Sequence, residues 1–283
     1  MKLLSKIADV KKILGKIIQD GNTIGFVPTM GALHEGHLSL IKQAKAETDL
    51  VVSSIFVNPT QFNNKEDLAK YPRDLARDSA MLETSGCDFL FAPEVTEMYP
   101  DGEKEILNLE FGMLDKVMEG KFRPGHFQGV ATIVNKLFDI VKPSKAYFGK
   151  KDYQQLSIIR AMVMKLNLPV VIIGCETVRE TDGLAMSSRN VRLTQEERQL
   201  APTIYHTLKQ VRNQAGMIPV RDLESRAINE ITKHKAFRVE YLEIGHKDSL
   251  LQLENWDLHH PAVVFTAVFL GDVRLIDNLE LFS

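Results

Sequence analysis

Two imidazoles three residues apart, His34 and His37, stand in the segment Pro28-Thr-Met-Gly-Ala-Leu-His-Glu-Gly-His37. The apolar run Thr23-Ile-Gly-Phe-Val27 before it reads as a buried strand, and Leu38-Ser-Leu-Ile-Lys-Gln-Ala-Lys45 after it reads as a helix. Both histidines therefore fall in a strand-to-helix loop, beside Gly36. A helix N-terminus presents free N–H groups and a partial positive charge, so it suits an anion. Histidines placed there point to phosphate, and to a nucleotide as its carrier. Two other readings compete. A glycine-rich turn of this kind can bind nothing at all. A zinc site is the other, but the zincin pattern spaces its histidines four apart on a helix, whereas here the spacing is three and glycine interrupts the register.

A second cluster supports the anion reading. From Lys121 to Lys151 there are seven basic residues, at 121, 123, 136, 142, 145, 150 and 151, against one acid, Asp139. That stretch is either a solvated basic face or the lining of a pocket for a polyanion of nucleotide size. The chain as a whole carries a formal charge of −2 over 283 residues, so no global field favours nucleic acid or an anionic membrane. Cys87 and Cys175 lie in or beside apolar stretches and read as buried thiols, which places the protein in a reducing cytoplasm. Charges interrupt the N-terminal apolar residues, against a signal peptide, and no apolar run approaches the ~20 residues of a membrane span.

The elements that must position these groups alternate. The pattern predicts a helix at about 5–20, a strand at 23–28, a helix at 36–47 and a β-branched strand at 49–57. It continues with a helix at about 72–85 ended by Gly86, a strand at 88–92, a helix at 129–141, a short strand at 146–148, a helix at 153–166 and a strand at 169–173. This rhythm predicts an α/β fold, a Rossmann-like doubly wound parallel sheet. Helices at about 194–215 and 219–235, then strands at 238–244 and 262–270, predict a smaller C-terminal α+β domain. The division falls at 1–185 and 186–283. In open α/β sheets ligands bind beyond the carboxyl ends of the strands. The loops 28–37, Asn58–Phe62 and 149–155 should therefore face one cleft, with 186–190 at its rim, since sites favour domain boundaries.

Several motifs in order give the chain a family resemblance. The segment 28–37 is similar to the ATP-binding signature of pantothenate synthetases (pantoate–β-alanine ligases). It is joined by Phe56-Val-Asn-Pro-Thr-Gln-Phe62, Tyr71-Pro-Arg73, Arg123-Pro-Gly-His-Phe127, Phe148-Gly-Lys-Lys-Asp-Tyr-Gln-Gln155 and Met186-Ser-Ser-Arg-Asn190. The histidine pair alone would indicate only the wider nucleotidyltransferase group; the combination is far more specific and runs essentially end to end. One departure is Lys150, where the family often carries Glu. It adds positive charge beside the nucleotide and leaves Lys151 and Asp152 in place.

The resemblance implies two steps. ATP and (R)-pantoate give pantoyl adenylate and pyrophosphate, then the amine of β-alanine displaces AMP. It implies His37, His34 and Lys151 as catalytic groups, with His37 as proton donor. It implies ATP contacts from Met30, Gly31, Ala32, Leu33, Glu35, Gly36, Gly149, Lys150, Asp152, Val178 (through its backbone), Met186, Ser187, Ser188 and Arg189. Gln61 and Gln155 would bind pantoate. Mg²⁺ would ride on the phosphates, with no metal site in the protein itself. The partners would be small molecules, with neither nucleic acid nor membrane, and the assembly a homodimer. His126 is left open between a turn pin and a site residue, while His259 and His260 read as surface loop. Another nucleotidyltransferase of the same group, or a non-catalytic nucleotide-binding module, remain the competing readings.

Overall fold

The computed structural model describes residues 1–62, 65–102, 106–257 and 259–282. Its strands are β1 (Lys2–Leu4), β2 (Ile24–Thr29), β3 (Leu50–Ile55), β4 (Phe89–Phe91), β5 (Lys145–Gly149), β6 (Val171–Cys175), β7 (Phe237–His246), β8 (Ala262–Leu270) and β9 (Val273–Phe282). The helices are α1 (Ile7–Gln19), α2 (Glu35–Glu47), α3 (Lys65–Lys70), α4 (Leu75–Thr84), α5 (Val95–Met98) and α6 (Met118–Phe122). They continue with α7 (His126–Val141), α8 (Tyr153–Lys165), α9 (Gln195–Leu200), α10 (Thr203–Gln214) and α11 (Val220–Thr232).

Among the described residues, β1 to β6 pair in parallel in the order β1-β4-β3-β2-β5-β6. The chain builds outward from β2 in one direction through β3 and β4, then crosses over to β5 and β6. The reversal between β2 and β5 is a switch point, where the carboxyl ends of the strands leave a crevice. The loops 30–34 and 150–152 open there. β2 and β3 are buried on both faces, as a central parallel strand requires, and β2 carries the fully buried Phe26 and Val27. Helix α7 buries twelve of its sixteen residues, so it lies in the core rather than on the surface. Burying one large apolar side chain there contributes about 1.5–3 kcal/mol.

A second sheet, β7-β8-β9, is antiparallel, and α10 and α11 pack against it. Its apolar cluster runs from Leu184 to Leu281 and is separate from the clusters around the parallel sheet. A smaller cluster joins the two parts, setting Met118 and Tyr153 against Tyr241, Val263 and Phe265. The expected α/β fold with a smaller C-terminal α+β part is the fold observed. Several elements differ from expectation, among them the short helices α3, α5 and α6, which were not anticipated. β1 has only three residues, too few to show a period, and β9 was not anticipated. The helix expected over 194–215 is broken into α9 and α10, because Pro202 has no N–H to continue it.

Candidate active site

The loop after β2 is shaped by its own side chains. His34 is the N-cap of α2, with extended backbone, and its Nδ1 accepts the Gly36 N–H at 3.1 Å. His37 Nδ1 accepts the His34 N–H at 3.4 Å, closing a reciprocal cap in which imidazoles take the usual places of Ser/Thr and Glu. Gly36 is required, since a Cβ there would stand 2.8 Å from Cε1 of His34. The rings lie 4.1 Å apart. Because both Nδ1 atoms receive backbone N–H groups, the proton of each neutral ring sits on Nε2, leaving two N–H donors.

Neither ring holds a positive charge readily. Burial, with Lys151 adding repulsion, lowers His34 to about 4. Burial, then the His34 ring and Lys151, lowers His37 to about 3. At neutral pH both are uncharged in the free protein. The N–H that His37 can offer in the free protein is then the one on Nε2.

A cleft along the carboxyl ends of β2, β5 and β6 gathers most of the nucleotide-contact candidates. Met30, His34, Gly36, His37, Gly149, Lys151, Asp152 and Val178 line it, with Met186, Ser187, Ser188 and Arg189 on the facing wall. Gly31, Ala32, Leu33, Glu35 and Lys150 do not line it. Leu33 is core, 1% exposed. Glu35 pairs with Lys42 across solvent. Lys150 turns to Glu176 and Glu280, and those carboxylates raise its pKa.

A second compartment opens from the first. Gln61 and Gln155 line it together with Asn58, Phe56 and the α7 residues Val130, Ile133, Val134 and Leu137. Met30, His37, Asp152 and Gln155 line both compartments, so His37 stands at their seam. Gln61 is 8% exposed; its Nε2 donates to Met30 Sδ at 2.8 Å and its Oε1 accepts from Asn58 Nδ2 at 3.3 Å. Asn58 is held in turn by the Tyr99 hydroxyl at 2.8 Å. The turn carrying Gln61 lies against α7 at Gly129, where a Cβ would meet the Thr60 carbonyl oxygen. His126, the open case, donates from Nδ1 to the Gln61 carbonyl at 2.8 Å. Burial, then the Arg123 charge, lowers it to about 4.

Three supports escaped the sequence. Asn278 on β9 donates to the carbonyls of Lys150 at 2.9 Å and Lys151 at 2.8 Å, tying the second sheet to the lysine turn. The neighbouring Asp277 takes Arg179 in two bonds, 2.7 and 2.9 Å. Between the sheets, Glu119 meets Arg274 at 2.6 and 2.9 Å, and the Tyr241 hydroxyl donates to it at 2.9 Å. Burial alone would raise this carboxyl, yet Arg274, Arg123 and Tyr241 hold it at about 2. β9 was itself unanticipated, so no signal in the sequence pointed to Asn278.

The arrangement offers aligned N–H donors and a cation to an anion in one compartment, and buried amides to a small polar ligand in the next. The chain is similar to known proteins over nearly its whole length. The family model for pantoate-beta-alanine ligase matches residues 2–280. A pantothenate synthetase of Bacteroides fragilis is 48% identical over 280 residues, covering 99% of each chain. A crystal structure of the pantothenate synthetase from Thermus thermophilus superposes with a TM-score of 0.93 at 46% identity, over all of both chains. The Francisella tularensis enzyme, solved with beta-gamma ATP and beta-alanine, superposes at 0.83 with 37% identity, covering 99% of this chain and 98% of that one.

Proposed function

This chain belongs to the pantoate-beta-alanine ligase family, and from that premise we propose how its two compartments divide the reaction. The family joins (R)-pantoate to β-alanine with consumption of ATP, giving pantothenate, AMP and pyrophosphate. A carboxylate resists amines because its leaving group is poor; adenylation supplies a better one. In the first step a pantoate carboxylate oxygen bonds to the α-phosphorus while the bond to the departing pyrophosphate breaks. In the second, the β-alanine nitrogen bonds to the acyl carbon, AMP leaves with the bonding electrons, and the nitrogen loses a proton.

The observation that carries this reading is the seam. His37, Asp152 and Gln155 line both compartments, so an α-phosphate in one can meet a carboxylate in the other. Gln61 and Gln155 hold pantoate, their amides donating to its carboxylate and accepting from its hydroxyls. The Nε2–H groups of His34 and His37 and the Lys151 ammonium receive the charge that develops on the phosphates. Such preorganised donors act where charge builds, and one can be worth about 10²–10³-fold in rate. Ser187, Ser188 and Arg189 close on the phosphates from the facing wall, Gly149 and Asp152 take the ribose, and the Val178 backbone meets adenine. The Gly31–Leu33 backbone supports this loop rather than touching the nucleotide.

Mg²⁺ enters with the nucleotide, held by phosphate oxygens. The functional division is placed at 1–185 and 186–283; the apolar clusters of the two sheets are separate, and the second draws in Leu184 just before that boundary. A homodimer follows from the family resemblance, and a cytoplasmic location from two buried free thiols.

Pantoate-dependent ATP–pyrophosphate exchange without β-alanine tests the assignment. Exchange that needs pantoate, followed by pantothenate and AMP when β-alanine is added, is the expected result. Folded, ATP-binding protein that gives no exchange would refute it.

A further inference from the structure

Asp78 is 1% exposed and lies in the first turn of α4. Its Oδ2 accepts the Ala32 N–H at 2.7 Å and its Oδ1 accepts the Leu33 N–H at 2.9 Å. The loop is bent to allow this, with φ of 80° at Gly31 and 51° at Ala32, a region L-residues rarely adopt. A Cβ on Gly31 would stand 2.9 Å from Asp78 Oδ2. The remaining polar groups here also turn inward. Gly31 N–H donates to Thr29 Oγ1 at 3.2 Å, and the next helix residue back, Arg77, donates from Nη2 to the Leu33 carbonyl at 3.3 Å. The two consecutive amides make a small anion nest, but the anion in it belongs to the protein.

We propose that Asp78 is a positioning residue for the adenylation step. By holding the amides of Ala32 and Leu33 it sets the direction in which the chain enters His34, and through the reciprocal cap it sets His37. The proposal rests on the reading that these histidines meet the phosphates that leave as pyrophosphate. The second half-reaction expels AMP alone and does not call on that contact. A carboxylate suits the task because both of its oxygens accept; a carboxamide has one acceptor and would turn an N–H donor against another. Displacing a catalytic group by about 1 Å can cost about 10²-fold in rate.

The test separates the two half-reactions in Asp78→Asn and Asp78→Ala, with thermal unfolding as a check on folding. Pyrophosphate exchange should slow at least tenfold, while aminolysis of supplied pantoyl adenylate by β-alanine stays within twofold of the unsubstituted protein. A smaller slowing of exchange, or a matching loss in aminolysis, overturns the proposal, because general damage would reduce both. His37→Ala serves as the control: if it exchanges normally, the histidine assignment itself fails; if it is slow while Asp78→Asn is not, only the present proposal fails. Should both variants fail to fold, amide hydrogen exchange of the unsubstituted protein decides. Ala32 and Leu33 should be protected equally with and without a non-hydrolysable ATP analogue. Protection that appears only with nucleotide would overturn the proposal.

Discussion

Replacing His126 by Asn should remove a pH dependence from folding without removing the hydrogen bond that holds Gln61. His126 is 6% exposed, and its Nδ1 donates to the Gln61 carbonyl at 2.8 Å. Burial first, and the Arg123 charge second, lower its pKa from 6.5 to about 4. The unfolded chain therefore takes up a proton near pH 6.5 that the folded chain refuses until about pH 4. Folding is unaffected by this group above the unfolded value and is progressively penalised as pH falls through the window between the two. Within that window each step of one pH costs about 1.4 kcal/mol, so at pH 5 the penalty is about 2 kcal/mol. The Asn side-chain N–H can replace Nδ1–H as donor and does not titrate. Urea unfolding at pH 7 and pH 5 should then show the unsubstituted protein losing about 2 kcal/mol more than His126→Asn. The constant cost of the substitution cancels in that difference, and carboxylates such as Glu119 titrate lower and in both proteins. Equal losses in the two proteins would refute the argument that His126 is buried as a neutral donor.

Two further outcomes follow from the site. His37→Ala should fold normally and lose at least ~10²-fold in kcat of adenylation, since a transition-state contact goes; near-normal turnover would remove His37 from its role. Asn278→Asp should raise the KM for ATP by about tenfold, because a carboxylate would face the Lys150 and Lys151 carbonyls where an amide now donates, leaving buried acceptors unpaired at about 1–3 kcal/mol. An unchanged KM would mean the lysine turn holds itself.

The sequence disclosed what local chemistry encodes. Alternation of apolar runs and helical periods foretold the parallel sheet, and loops after strands foretold a shared cleft. β8 was read to the residue because it is a long apolar run between Pro261 and Gly271. What it withheld lies in long-range pairing. β1 and β9 become strands by pairing with β4 and β8, and a three-residue strand has no period of its own. Asp78 looks like any acid on an amphipathic helix until α4 is laid against the loop 46 residues away in sequence. The signature loop showed the same limit: its residue types raised the expectation of a phosphate site, but not that the amides of Ala32 and Leu33 face a carboxylate rather than the cleft.

The neutrality of the two histidines follows first from burial, with Lys151 repelling a charge on either ring and His34 repelling one on His37. Two unit charges about 4 Å apart repel by about 4 kcal/mol at an effective dielectric of 20, and Lys151 adds a third. Burial and these neighbouring charges keep both rings, 4.1 Å apart, uncharged, and the backbone amides on Nδ1 leave the remaining N–H of each on Nε2. In the proposed reaction the cleft would separate two tasks. Lys151 would attract the triphosphate at long range. The imidazoles would supply direction, which matters only at hydrogen-bond distance, as charge moves onto the departing oxygens. A site with three fixed cations would hold ATP and pyrophosphate alike, and binding that is equal in ground and transition states does not raise kcat. Neutral donors locked by a helix cap avoid that, and the buried carboxylate of Asp78 keeps the lock in register.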